Sequence, residues 1–203
     1  MTYKLLTEPA FHTHENKKSL FHAAAYPIAS RTEAMDTLAK QKRSYPDARH
    51  HCWAYLLGSP QQPSNQGYND DGEPSGTAGK PILNVINHSD YGDIMIVISR
   101  YFGGVKLGVG GLVRAYSQAT KDVLQNTQTT LLVKRKRYHI VIGFHQESSF
   151  RQLALKLNIE LENITYEHGV QIWVGVPYQN ELAFLDWCRH LQIPKVNKNC
   201  VLN

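Results

Sequence analysis

Residues 69–116 read NDDGEPSGTAGKPILNVINHSDYGDIMIVISRYFGGVKLGVGGLVRAY, and the alternation within them decides the fold class. At their centre, Ile94 to Tyr101 (IMIVISRY) is almost continuously apolar, which predicts a strand covered on both sides. Beyond the glycines, Leu112, Tyr116, Ala119 and Val123 recur at i, i+4, i+7 and i+11, the spacing of a helix with its apolar stripe turned to a core. A buried strand leading through a glycine turn into an amphipathic helix belongs to a layered mixture of sheet and helix. The same stretch holds most of the chain's 14 glycines, an acidic triplet (Asp70, Asp71, Glu73) and cations at Lys80, Arg100, Lys106 and Arg114. Glycine carries an entropy cost, so a cluster beside apolar strands implies backbone held in special dihedrals or pressed close to something else. This segment is read as the functional surface.

Working upstream, SLFHAAAYPIA (19–29) predicts a strand, and HHCWAYLL (50–57) a second one, apolar on both alternating faces. Between them Ser30 and Glu33 form a capping-box pattern, and Ala34, Met35, Leu38 and Ala39 follow at helical spacing until Pro46. Residues 58–80, full of Pro, Gly, Ser, Asn and Gln, read as one long loop. Pro81 to about His88 is compatible with a short helix or a strand. Downstream, the run Lys134-Arg135-Lys136-Arg137 separates two compositions and reads as a solvated linker or strand edge, or else as a phosphate-contacting patch. Beyond it come a strand (YHIVIGF, 138–144), a helix (Glu147 to about Leu157), two strands (Ile159–Tyr166 and Val170–Val176, turning at His168-Gly169), a helix (Asn180–Leu191) and a final strand. That β-α-β-β-α-β order is the ferredoxin-like split motif, in which Trp173 and Trp187 fall at core positions. The expectation is an α+β chain of two domains, residues 1–134 and 135–203.

The bulk numbers exclude several classes. At 203 residues, 42% hydrophobic and 19% charged, the chain is globular rather than disordered. Its longest strictly aliphatic run, IMIVI (94–98), falls far short of the roughly 20 residues that span a bilayer, and the N-terminus lacks the apolar stretch of a secretory signal. Cys52, Cys188 and Cys200 are odd in number and without CxxC spacing, which favours neither disulfides nor a zinc module. A cytoplasmic setting with no membrane partner is expected. The net charge is +5, spread over both halves, and by itself does not choose between nucleic acid and protein partners.

Individual residues sharpen the surface. Glycines before a helix leave free N–H groups where the helix dipole favours anions. In GGVKLGVGGLVRAY (103–116), Lys106 projects from that turn and Arg114 lies in the first helical turn, so a phosphate can be held there; neither a Walker loop nor a dinucleotide fingerprint is present. Asp70, Asp71 and Glu73 lie close enough to repel unless they hold a hard cation such as Mg²⁺, cap backbone amides, or pair with Arg100 and Arg114; the structural role is favoured. Thr77 and Lys80 are the other polar groups of the loop able to reach a ligand. On a strand His50 and His51 point to opposite faces, so they cannot share a metal. Of the two, His51 is expected to face the acidic loop, and Cys52 to be packed. Tyr101 and Phe102 end the buried strand, where an aromatic can stack on a base or pack in the core.

The stretches KKSLFHAAAYPI (17–28), DARHHCWAY (47–55), DDGEPSGTAGKPIL (70–83) and RYFGGVKLGVGGLVRAY (100–116) closely resemble the IMPACT family, which includes the bacterial YigZ proteins. The resemblance covers about residues 17–125, and the tail resembles the smaller C-terminal domain of bacterial members. It implies an N-terminal α/β sandwich similar to the second domain of a small-subunit ribosomal protein, joined to a ferredoxin-like domain. Eukaryotic relatives regulate translation under starvation by competing for an activator of an initiation-factor kinase, a role tied to an extra N-terminal RWD domain for which this chain has no room. The expectation is therefore a translation-associated regulatory protein, non-enzymatic, without a cofactor, contacting RNA or a ribosome-associated factor through the 70–80 loop and the 103–114 glycine turn. The alternatives are a Mg²⁺-dependent enzyme acting on phosphoesters or nucleotides, with Asp70, Asp71 and Glu73 as metal ligands, and a protein-interaction module that binds no nucleic acid.

Overall fold

The structure is a computed structural model that describes residues 2–193 and 197–198. The chain divides into two compact units between Leu132 and Val133, whereas the change in composition drew the break after residue 134.

The first unit is built on an antiparallel five-stranded sheet in the order β2-β3-β6-β4-β5, from β2 (Ala10–Asn16), β3 (Ser19–Pro27), β4 (His50–Ser59), β5 (Gln62–Asn69) and β6 (Ile94–Tyr101). A separate pair, β1 (Thr2–Leu6) with β7 (Thr129–Val133), ties the ends of the unit together. The central strand β6 is buried from Ile94 to Arg100, as its composition requires. Ile94, Ile96 and Ile98 join the core under α2 (Gly79–Asn87) and α3 (Val109–Gln125). Met95 and Val97 point the other way, to the cluster containing Ala34 of α1 (Arg31–Ser44). Period-two alternation on a strand roofed by helices on both sides accounts for the unbroken apolar run. The predicted cap is in place: Ser30 Oγ accepts from Glu33 N, and the Glu33 carboxylate accepts from Ala29 N at 2.7 Å.

The long loop expected over 58–80 is corrected by β5, which occupies Gln62–Asn69 and pairs with β4. An edge strand has one hydrogen-bonded neighbour and β5 is mostly exposed, so QPSNQGYN needs no continuous apolar face, and Pro63, lacking an N–H, is tolerated there. Gly67 lies on β5 because a Cβ would stand 2.8 Å from the Tyr55 ring. The segment 81–87 is helix within α2, which ends one residue before His88, and the N-terminal strands β1 and β2 carried no recognised signal.

The second unit contains β8 (Arg135–Ile142), α4 (Glu147–Lys156), β9 (Glu160–Tyr166), β10 (Val170–Pro177), α5 (Glu181–His190) and β11 (Asn197–Lys198). The strand order β11-β8-β10-β9, with every recorded pairing antiparallel, is the ferredoxin-like arrangement. Its core comprises Tyr138, Ile140, Ile142, Phe150, Val170, Ile172, Val174 and Phe184, with Trp187 packed against it. Trp173 is corrected to the opposite face of the sheet, where it lies 4.8 Å from the His139 ring and 4.5 Å from the Arg137 guanidinium. The basic run is not an open patch: Arg135 pairs with Glu160, Lys136 with Glu181 and Arg137 with Glu162. Residues 199–203, where the final strand was also expected, lie outside the described residues. Among the described residues no helix is long and apolar enough to cross a membrane.

Candidate anion-binding pocket

The segment after β5 reverses sharply, with Asp71 at φ +43° and Gly72 at φ +86°. Each member of the acidic triplet is committed to internal partners. Asp70 Oδ1 accepts from the amides of Ala78 (3.0 Å) and Gly79 (2.8 Å), and Oδ2 from Gly76 N (2.8 Å), so this carboxylate pins the loop to the start of α2. Asp71 Oδ2 accepts from His51 N at 2.7 Å, and Oδ1 pairs with Lys42 at 3.3 Å. Glu73 is buried; its Oε1 accepts from Arg100 NH1 at 2.6 Å and from the Tyr116 hydroxyl at 2.8 Å. Among the described residues no group of three or more His, Cys, Asp or Glu side chains is placed to hold a metal. Of the two arginines considered as partners of the triplet, Arg100 is the one that pairs with Glu73.

Thr77 is buried, its hydroxyl donating to Pro74 O at 2.7 Å, which leaves it stiffening the loop rather than reaching a ligand. Cys52 is packed, its Sγ lying 3.0 Å from Asp70 O and 3.2 Å from the Tyr116 hydroxyl. Burial pushes the Cys52 thiol and the Tyr116 phenol upward, so neither ionises near neutrality.

The glycine turn leaves β6 on the other side. Gly103 passes so close to Lys18 that a Cβ would sit 2.0 Å from its carbonyl carbon, and its amide donates to Ser19 Oγ. Gly108, at φ +71°, sets the entry to α3. The first intrahelical bond of α3 runs from Leu112 N to Gly108 O at 2.9 Å, so the amides of Val109, Gly110 and Gly111 precede it. Residues 108–110 are exposed, so the entry to α3 lies at the surface.

Between the loop and the turn lies a cavity of about 460 Å³. Arg49, His50, Arg100 and Lys106 supply its basic lining, Glu73 its one carboxylate, and Phe102, Leu107, Val109 and Leu112 an apolar wall. Arg100 is only 6% exposed; its guanidinium sits 5.5 Å from the Phe21 ring centroid and 5.8 Å from that of Phe102, and its Nε has no hydrogen-bond partner. His50 Nδ1 lies 2.8 Å from Asp71 O; a carbonyl only accepts, so Nδ1 carries the hydrogen.

The structure thus brings Glu73, Arg100 and Lys106 together and separates others. Lys80 is exposed on α2 and does not line the cavity. Arg114 is exposed and leans back over Gly110, outside the lining. His51 is corrected: its backbone meets Asp71, but its ring turns to the α1 side, where Nδ1 lies 2.9 Å from Ser99 Oγ. Arg49 and His50 are the lining residues that the sequence did not single out. Strand alternation was the available signal for His50, which shares the face of buried Cys52.

The family model for the Impact N-terminal domain matches residues 17–124, a range that contains every lining residue of this cavity. The chain belongs to the IMPACT family. IMPACT family member YigZ of Escherichia coli is 37% identical over 136 residues, 67% of each chain. IMPACT family member YvyE of Bacillus subtilis is 33% identical over 197 residues, 94% of this chain and 87% of the relative. Among solved structures, the crystal structure of a hypothetical protein covers 100% of this chain and 98% of its own, with 28% identity and a TM-score of 0.65.

In this IMPACT-family chain the His51 ring also sets a pH response. Desolvation by burial lowers its pKa below the ordinary value of 6.5. The unfolded chain then binds the proton more tightly than the folded one, so stability contributed by neutral His51 is lost as pH falls below about 6.5. Urea melts between pH 7.5 and 5 should show stability falling with pH, and His51→Asn should flatten the slope. An unchanged slope in that variant assigns the response to other groups.

Proposed function

We propose that this IMPACT-family protein is a translation-associated regulatory protein that contacts RNA through the cavity between the 70–78 loop and the 103–108 glycine turn. The observation that carries the reading is the basic lining of that cavity, Arg49, Arg100 and Lys106, beside the exposed start of α3 at Gly108 and Val109. Anions are favoured at a helix N-terminus by both its free amides and its dipole. Family membership supports the translational setting. The Mg²⁺-enzyme alternative draws no support from the acidic triplet, whose oxygens face separate internal partners.

Filter binding against structured RNA at several salt concentrations tests the reading. Affinity should fall steeply with salt, and the double variant Arg49→Ala/Lys106→Ala should weaken binding about tenfold and reduce the salt slope by about 2 while leaving the circular dichroism unchanged. Arg114→Ala, outside the lining, should change affinity less. Absent or salt-insensitive binding, or a partner retained from extract after nuclease treatment with no RNA affinity, overturns the RNA contact in favour of a protein-interaction surface.

A further inference from the structure

Resting on that reading, the shape and lining of the cavity narrow the ligand. We propose that it is a site for one nucleotide carrying a monophosphate, with the phosphate at the Lys106–Arg49 mouth and the base against Phe102, Leu107 and Leu112. The volume of about 460 Å³ lies within the range of small-ligand sites, about 300–1,000 Å³. A purely phosphate-binding cleft has no use for an apolar wall, yet four apolar side chains line one side of this one. Phe102 is 47% exposed and lines the cavity. A base stacked there covers the ring while its phosphate stays within reach of the cations.

Charge sets the phosphate count. Arg49, Arg100 and Lys106 oppose the single carboxylate of Glu73, and these four side chains sum to a charge of +2. That matches a monophosphate dianion, and a second or third phosphate would meet the Glu73 side of the recess. Arg49 and Lys106 are the lining donors for the phosphate oxygens, and Gly108 and Val109 bring the start of α3 to the same lining. The same chemistry is presented by a free mononucleotide and by the phosphorylated end of an RNA strand.

Calorimetric titration of the full chain with AMP, UMP, adenosine and inorganic phosphate tests the assignment. The nucleotides should bind at least tenfold more tightly than either adenosine or phosphate alone. Phe102→Ala and Lys106→Ala, both at exposed positions, should each weaken nucleotide binding at least fivefold with the fold retained. A 5′-phosphorylated RNA pentamer binding more tightly than AMP, and losing that advantage as the 5′-hydroxyl form, identifies an RNA end as the source; the reverse order identifies a free nucleotide. Equal affinity for phosphate and AMP, or insensitivity to Phe102→Ala, overturns the nucleotide site. Circular RNA, which has no ends, separates the two readings: salt-dependent binding to it without mononucleotide binding leaves the RNA contact standing and removes this one.

Discussion

Replacing Glu73 by alanine should lower the unfolding free energy by about 3–5 kcal/mol, because breaking a buried ion pair leaves an uncompensated charge in the interior. The Glu73 side chain is 3% exposed and that of Arg100 is 8% exposed. Loss of the carboxylate strands the guanidinium, which already has an unpartnered Nε, and also removes the acceptor of the Tyr116 hydroxyl. Urea denaturation monitored by tryptophan fluorescence measures the change. Glu73→Gln, which keeps an acceptor but no charge, should cost less, and Glu73→Leu with Arg100→Met should recover part of the loss, since apolar pairs often replace buried ion pairs without penalty. A loss below about 1 kcal/mol in Glu73→Ala would mean that Arg100 relaxes into the water of the cavity, and that the pair is dispensable to the fold.

The second large effect is expected at Asp70. Its two oxygens accept three backbone amides, those of Gly76, Ala78 and Gly79, and no other side chain accepts from them among the described residues. Hydrogen bonds to a charged group contribute about 1.5–3 kcal/mol each, and their sum here is reduced by the half-exposed setting, so Asp70→Ala should cost about 3 kcal/mol. Asp70→Asn, with one carbonyl oxygen left to accept, should lose roughly half as much. Hydrogen exchange at Gly76, Ala78 and Gly79 locates the effect, since these amides should exchange faster in Asp70→Ala while those of β6 keep their protection relative to global unfolding. Because Gly72, Glu73 and Pro74 form one wall of the cavity, RNA affinity should fall with loop order. Unaltered exchange at the three amides would remove Asp70 as the loop's anchor.

Much of the architecture was legible because it rests on periodicity. The strand over Ile94–Tyr101, the helix begun by Ser30 and the helix carrying Leu112, Tyr116, Ala119 and Val123 all lie where spacing places them. So does the β-α-β-β-α-β order of the second unit. What periodicity missed has no apolar pattern to read: β5 is a polar edge strand, and β2 exposes every second side chain at the far edge. Trp173 was misplaced because a large aromatic on a strand is compatible with either face, and only the register to His139 and Arg137 decides which.

The site divides along the same line. The local sequence determined that glycines would open α3, that Asp70, Asp71 and Glu73 would crowd one turn, and that neighbouring histidines on β4 would part to opposite faces. Those are consequences of dihedral freedom, Coulomb repulsion and strand alternation, all of which act over a few residues. Only the tertiary structure decided that Glu73 meets Arg100 from 27 positions away, that Arg49 and Lys106 line one cavity, and that Arg114 and Lys80 stand apart from it. Which charges share a cavity depends on how distant strands and helices pack, and packing is a property of the assembled chain that no short window of sequence carries.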